Sequence, residues 1–177
     1  MTAEKVMEAR VASWLTKRSM IVARQIRLGD MRLDIVAYDK KKRLFKVVEC
    51  KPAVHQTVVG QTFGQIAAYI NRVTDRTDEF VDSFSDQVKM RFGRWMQATE
   101  YGRRIKAEFY VALPEAACKD IECLRNLKRQ HADVGIIRHK PNGQCRPYLR
   151  EHNKPNYELA RATARICDLT QYWLSQR

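Results

Sequence analysis

Two neighbouring runs, LDIVAYD (33–39) and LFKVVECK (44–51), constrain this chain more than any other stretch. Each alternates around β-branched and aromatic residues, and the polar segment from Asp39 to Arg43 lies between them. That is the pattern of a β-hairpin. With Lys41-Lys42 as its loop, Lys40 faces Arg43, Tyr38 faces Phe45, Val36 faces Val47 and Asp34 faces Glu49. Directly opposed residues have Cα atoms roughly 4.5–5.5 Å apart and point to one face. Side chains repeat every second residue, so Lys51 shares the face of Glu49, while Cys50 points away and leaves its carbonyl free. A loop one residue longer or shorter puts Asp34 on the wrong face.

Two carboxylates and a lysine gathered on a sheet are the parts needed to bind Mg²⁺, or Mn²⁺, and attack a phosphodiester. The charge balance agrees. The 177 residues carry a formal net charge of +13, which points to a polyanionic partner, with nucleic acid ahead of an acidic membrane surface. A hydrophobic content of 45% favours a globular domain over disorder. No apolar run approaches transmembrane length and the N-terminus lacks a signal-peptide pattern, so no membrane partner and a cytoplasmic location are expected. Five scattered cysteines fit reduced thiols. Cys118, Cys123, His131, His139 and Cys145 match no usual zinc spacing, and no zinc is expected.

The remaining periodicities fill out one domain over residues 1–177. Residues 3–17 read as an amphipathic helix with Thr2 as N-cap and Val11, Trp14 and Leu15 inward. Glu4 and Glu8, one helical turn apart, read as a surface stripe. Residues 21–28 read as a strand followed by a Gly29-Asp30 turn, and residues 57–73 as a helix. Residues 77–98 read as a peripheral helical elaboration. A strand at 107–113, a helix at 114–130 and a strand at 134–138 suggest a parallel pair with a crossover helix. Residues 156–175 read as a closing helix. The expected class is α/β, a central mixed sheet flanked by helices.

The order of these elements, with Asp34 and Glu49-x-Lys51 in place, resembles the PD-(D/E)xK nuclease superfamily and its restriction-endonuclease-like fold. The resemblance runs from the first helix to VGIIR. Glu8 resembles that family's helical glutamate, and Gln65 and Tyr69 in GQIAAY resemble the Q-x-x-x-Y element of RecB-type nucleases. It implies a Mg²⁺-dependent endonuclease acting on DNA. Asp34, Glu49 and the Cys50 carbonyl would hold the metal, and Glu8 would be a further carboxylate. Lys51 would orient the attacking water, Gln65 would hold Lys51 or a phosphate, and Tyr69 would pack nearby. A homodimer is a further expectation, since many enzymes of this fold act as dimers. Arg24, Arg27, Arg32, Lys41, Lys42, Arg91, Arg94, Arg103 and Arg104 are candidates for phosphate contacts. Two alternatives stand beside this reading: a catalytically silent nucleic-acid-binding subunit of the same fold, and a metal-dependent phosphoesterase acting on RNA.

Overall fold

The alternating runs pair because each has an apolar face to bury. In the computed structural model, which describes residues 2–92, 106–131, 133–148 and 157–158, helix α1 (Ala3–Thr16) leads into an antiparallel meander of β1 (Ile21–Leu28), β2 (Met31–Asp39) and β3 (Leu44–Cys50). Helices α2 (Gln56–Asp75) and α3 (Thr77–Phe92) follow. Then come β4 (Lys106–Pro114), a 3-10 turn (Ala117–Lys119), α4 (Ile121–Gln130), β5 (Val134–His139), β6 (Cys145–Tyr148) and β7 (Tyr157–Glu158). The strands form one mixed sheet in the order β1-β2-β3-β4-β5-β6, with β7 antiparallel to the start of β4. Strands β3, β4 and β5 are parallel, and α4 makes the crossover between the last two. The fold is α/β, a mixed sheet flanked by helices, as expected.

The β2–β3 hairpin takes the expected register. Val36 pairs with Val47 and Tyr38 with Phe45, but the ladder ends at Ile35–Val48, so the expected Asp34–Glu49 rung is not part of it, and the Asp34 carboxylate takes the Cys50 N–H instead. The turn itself differs. Pairing stops at Asp39–Leu44, so Lys40 and Arg43 belong to a four-residue loop rather than to the ladder. The cause is local: the Asp39 carboxylate accepts the backbone N–H groups of Lys41 and Lys42 at 3.0 and 3.1 Å, and Arg43 closes the loop with φ of 53°. Lengthening the loop by one residue on each side leaves the register, and hence the face of every side chain, unchanged.

Two cores sandwich the sheet. On one face Met7, Val11 and Leu15 of α1 pack over Val22, Ile35, Ala37, Val48 and Ala112. On the other, α2 and α3 cover Val36, Tyr38, Phe45, Val47, Phe109 and Val111. Helix α3 belongs to this second core rather than to the periphery. Phe80 and Phe84 are fully buried, each with its ring centroid 5.1 Å from that of Phe45 in edge-to-face contact. Burial of such a ring is worth about 1.5–3 kcal/mol. Residues 93–98 of the expected helix lie outside the described residues.

Three other boundaries move. The helix expected at 114–130 begins at Ile121, because Pro114 still belongs to β4 and the Asp120 carboxylate caps α4 by accepting Cys123 N–H at 2.9 Å. Strand β6 was not anticipated, since four residues interrupted by Pro147 carry little alternation. Tyr157 and Glu158, expected to open a helix, instead extend along Ala107 and Lys106. The rest of that segment lies outside the described residues.

Candidate active site

At the end of the sheet where β3 runs out, α1 and α2 approach from opposite faces. The backbone there departs from simple alternation. Leu33 and Val36 both enter the core under α2 and α3, and on β1 so do Ala23 and Ile26. The members of each pair are three positions apart, where an even step would be required. The break falls at Gln25 and Asp34, which stand opposite each other between the pairs Arg24–Ile35 and Ile26–Leu33. Gln25 takes a left-handed φ of 59°, which for a non-glycine residue costs about 1–2 kcal/mol. The kink frees Asp34 from its neighbours' face and lets it meet α1.

A buried carboxylate needs partners, and those of Asp34 come from two neighbouring strands. Its Oδ2 accepts Cys50 N–H at 2.8 Å, a side-chain bond standing in for a rung of the ladder between β2 and β3. Its Oδ1 accepts the Gln25 amide at 3.4 Å. The same amide donates to Glu8 Oε1 at 2.7 Å, and Arg24 Nη2 lies 3.0 Å from Glu8 Oε2. Oxygens of Glu4, Glu8 and Asp34 all lie within 4.8 Å of one another, close enough to share a cation. Lys51 Nζ bridges Glu49 Oε1 at 3.3 Å and Glu4 Oε1 at 3.7 Å. Its backbone N–H donates to Ala112 at 3.0 Å, which anchors Lys51 just past the end of β3, before Pro52.

So dense a group of acids shifts its own proton equilibria. Burial, and then the charges of Glu8 and Glu4, raise the Asp34 carboxyl above the usual range, against the pull of the Cys50 N–H. Burial and the charge of Asp34 push Glu49 up to about 8, with Lys51 acting the other way. Burial pushes Lys51 down, but Glu49, Glu4 and Asp34 together hold it above its ordinary value. Lys51 is therefore a lasting cation, and the Asp34–Glu49 pair keeps a proton at neutral pH that a metal ion could replace.

Helix α2 closes the other side. Tyr69, buried by its neighbours and facing the charges of Glu49 and Asp34, has its hydroxyl pushed well above the usual range and stays protonated. It donates to the Arg32 carbonyl at 3.3 Å and accepts the Gln65 amide at 2.8 Å. Gln65 thus reaches the site through Tyr69, where the sequence suggested Lys51 or a phosphate.

The structure brings Glu8, Asp34, Glu49, Lys51 and Tyr69 together, and in Cys50 it displays the N–H as the group engaged there. It adds Glu4 and Gln25. The spacing of Glu4 from Glu8 could have found the first; nothing in the sequence marks the kink that recruits the second. Of the cationic candidates, Arg24 is held by Glu8. Arg27 and Arg32 pair across the ladder, two residues beyond the kink. Lys41 and Lys42 sit at the far end of β2, roughly 17 Å from Asp34, so the lysine hairpin does not join the site. Only the backbone of Arg91 is described, and Arg94, Arg103 and Arg104 lie outside the described residues.

Compared with known proteins, the chain matches no family model, no curated protein and no solved structure. Among the described residues, no helix is long and apolar enough to cross a membrane.

Proposed function

We propose that the chain is a Mg²⁺-dependent endonuclease of the PD-(D/E)xK type, on a restriction-endonuclease-like fold, that hydrolyses DNA phosphodiester bonds. The observation that carries this reading is the meeting of Asp34, Glu49 and Lys51 at one end of the sheet, with Glu8 and Glu4 reaching in from α1. The donor set fits a hard divalent cation. It is all carboxylate oxygen, and among the described residues no hydrogen bond reaches the buried Glu49 Oε2. Asp34, Glu4, Glu8 and Glu49 would hold the ion.

A bound Mg²⁺ or Mn²⁺ supplies Lewis-acid polarisation of a phosphoryl oxygen and acidifies a water. Lys51, a lasting cation at the mouth of the site, orients the attacking water and offsets the charge that grows on phosphorus. Tyr69 remains a donor and is steered by Gln65. Gln25 and Arg24 fix the carboxylate of Glu8.

Incubating circular and linear DNA, with RNA alongside, in Mg²⁺ tests this. Asp34→Asn, Glu49→Gln and Lys51→Ala should each lower cleavage by about 10²-fold or more while circular dichroism stays unchanged. Full activity in a folded Lys51→Ala protein would overturn the assignment, and cleavage of RNA alone would favour the phosphoesterase. One observation favours the silent-subunit reading: both oxygens of Glu8 are already satisfied by Arg24 and Gln25. Calorimetric titration with Mg²⁺ separates the two, since a silent subunit binds nucleic acid without metal uptake at the carboxylates.

A further inference from the structure

Away from the carboxylates, the outer flank of α1 and the turn between β5 and β6 enclose a groove of about 640 Å³. Its lining includes Arg10, Trp14, Lys17, Arg18, Gln144 and Arg146 and no acidic residue. Elsewhere some of the described cations are matched: Arg72 with Asp30 at 2.8 Å, Arg76 with Glu79 at 3.2 Å, Lys46 with Glu108 and Arg138 with Glu115 both at 3.8 Å. Among the described residues, no carboxylate pairs with Arg10, Lys17, Arg18 or Arg146. Four like charges with no carboxylate partner among the described residues, gathered round one concavity, raise the local potential and draw in anions.

The walls are built rather than incidental. The Arg10 guanidinium donates to the Pro141 carbonyl at 3.3 Å and clips the turn to α1. Gly143, with φ of 83°, takes the left-handed angle that this turn against Arg10 requires and that glycine adopts without strain. The turn is tied further by Lys140 N–H to the Gln144 carbonyl at 2.8 Å and by Gly143 N–H to the Lys140 carbonyl at 2.9 Å. Arg18 stacks 4.1 Å over the Trp14 ring and donates to the Trp14 carbonyl at 3.4 Å, contacts that orient the guanidinium without cancelling its charge.

We propose that this groove is a metal-independent binding site for the phosphodiester backbone of nucleic acid, with Lys17, Arg18 and Arg146 on phosphates and Arg10 holding the wall. The groove rests on the nuclease reading only for the purpose its ligand serves. From Glu8 to the end of α1 is roughly 12 Å, about three to four phosphate steps along one strand of DNA. A strand seated in the groove therefore extends along the same helix that carries Glu4 and Glu8, and α1 joins the two sites.

Fluorescence anisotropy in EDTA, with single-stranded and duplex 20-mers of one sequence, isolates binding from cleavage. The variant Lys17→Ala/Arg18→Ala/Arg146→Ala should bind at least about tenfold more weakly, and its slope of log affinity on log salt should flatten by about 2 to 3. The form of DNA that shows the larger loss identifies the strand the groove takes. Arg146→Ala alone should flatten the slope by about 1, which keeps the test available if the triple variant misfolds. Unchanged affinity and slope in the folded variants would overturn the proposal, as would displacement of the DNA by polyglutamate of equal charge. Glu49→Gln separates the two readings. If it binds like the wild type while neither protein cleaves, the nuclease reading fails and the groove stands; if the wild type cleaves and the groove variants bind normally, the groove alone fails.

Discussion

Gln25 holds a backbone angle that glutamine seldom adopts, and its amide ties Glu8 and Asp34 together. These two facts belong to one device. A left-handed residue turns both strands, and its side chain secures the acids that the turn displaces. Gln25→Gly separates the contributions, because glycine accepts the angle without strain but offers no amide. The variant should fold with stability close to the wild type, the relief of strain offsetting the lost bonds. Its apparent Mg²⁺ affinity by calorimetry should fall about tenfold, the usual effect of removing a group that orients a ligand. An affinity equal to that of the wild type would show Gln25 to be a backbone element only.

Among the elements, α3 illustrates how far local pattern reaches. Phe80 and Phe84 recur at helical spacing, but spacing alone says nothing of which sheet face awaits them. The answer lay in Phe45, thirty-five residues before Phe80 in the chain. Phe84→Ala should cost about 3–5 kcal/mol in chemical denaturation, and a loss below about 1 kcal/mol would return the helix to the periphery. The hairpin was legible for the opposite reason. With both faces buried, only one parity of register keeps Val36, Tyr38, Phe45 and Val47 in a single core, which brings together the strand ends that carry Asp34 and Glu49. Gln25 and Glu4 escaped because alternation predicts a straight strand, and the straight strand ends at Asp34. The short strands β6 and β7 escaped because they borrow their pairing from β5 and β4.

At the scale of the whole molecule, the acid cluster sets a pH dependence of stability. Glu49 ionises at about 8 in the folded chain and near 4.5 when unfolded, so between these values the unfolded state sheds a proton that the folded state retains. Its stabilising contribution is complete below the lower value and is lost as pH rises through the upper one. Without metal, the wild type should lose on the order of a few kcal/mol across that window relative to Glu49→Gln, read as a divergence of their thermal midpoints. Added Mg²⁺ should raise the wild-type midpoint more at pH 8.5 than at pH 5, since metal and proton compete for the same oxygens. Parallel pH profiles for the two proteins would show that Glu49 titrates normally.

The mixed sheet also imposes an order of assembly. Each turn of the β1–β2–β3 meander joins adjacent strands through a few residues, whereas pairing β3 with β4 must bring Leu44 to Lys106 and Cys50 to Ala112 across the segment that holds α2 and α3. Closing the longer loop carries the greater entropy cost, and no contact offsets it until the ends meet. Glu4, Glu8, Asp34, Glu49 and Lys51 all fall within the N-terminal part that needs only short closures. The acids thus lie in the half that closes over short loops, and Glu8 meets Arg24, Gln25 and Asp34 there with no contribution from β4 or β5.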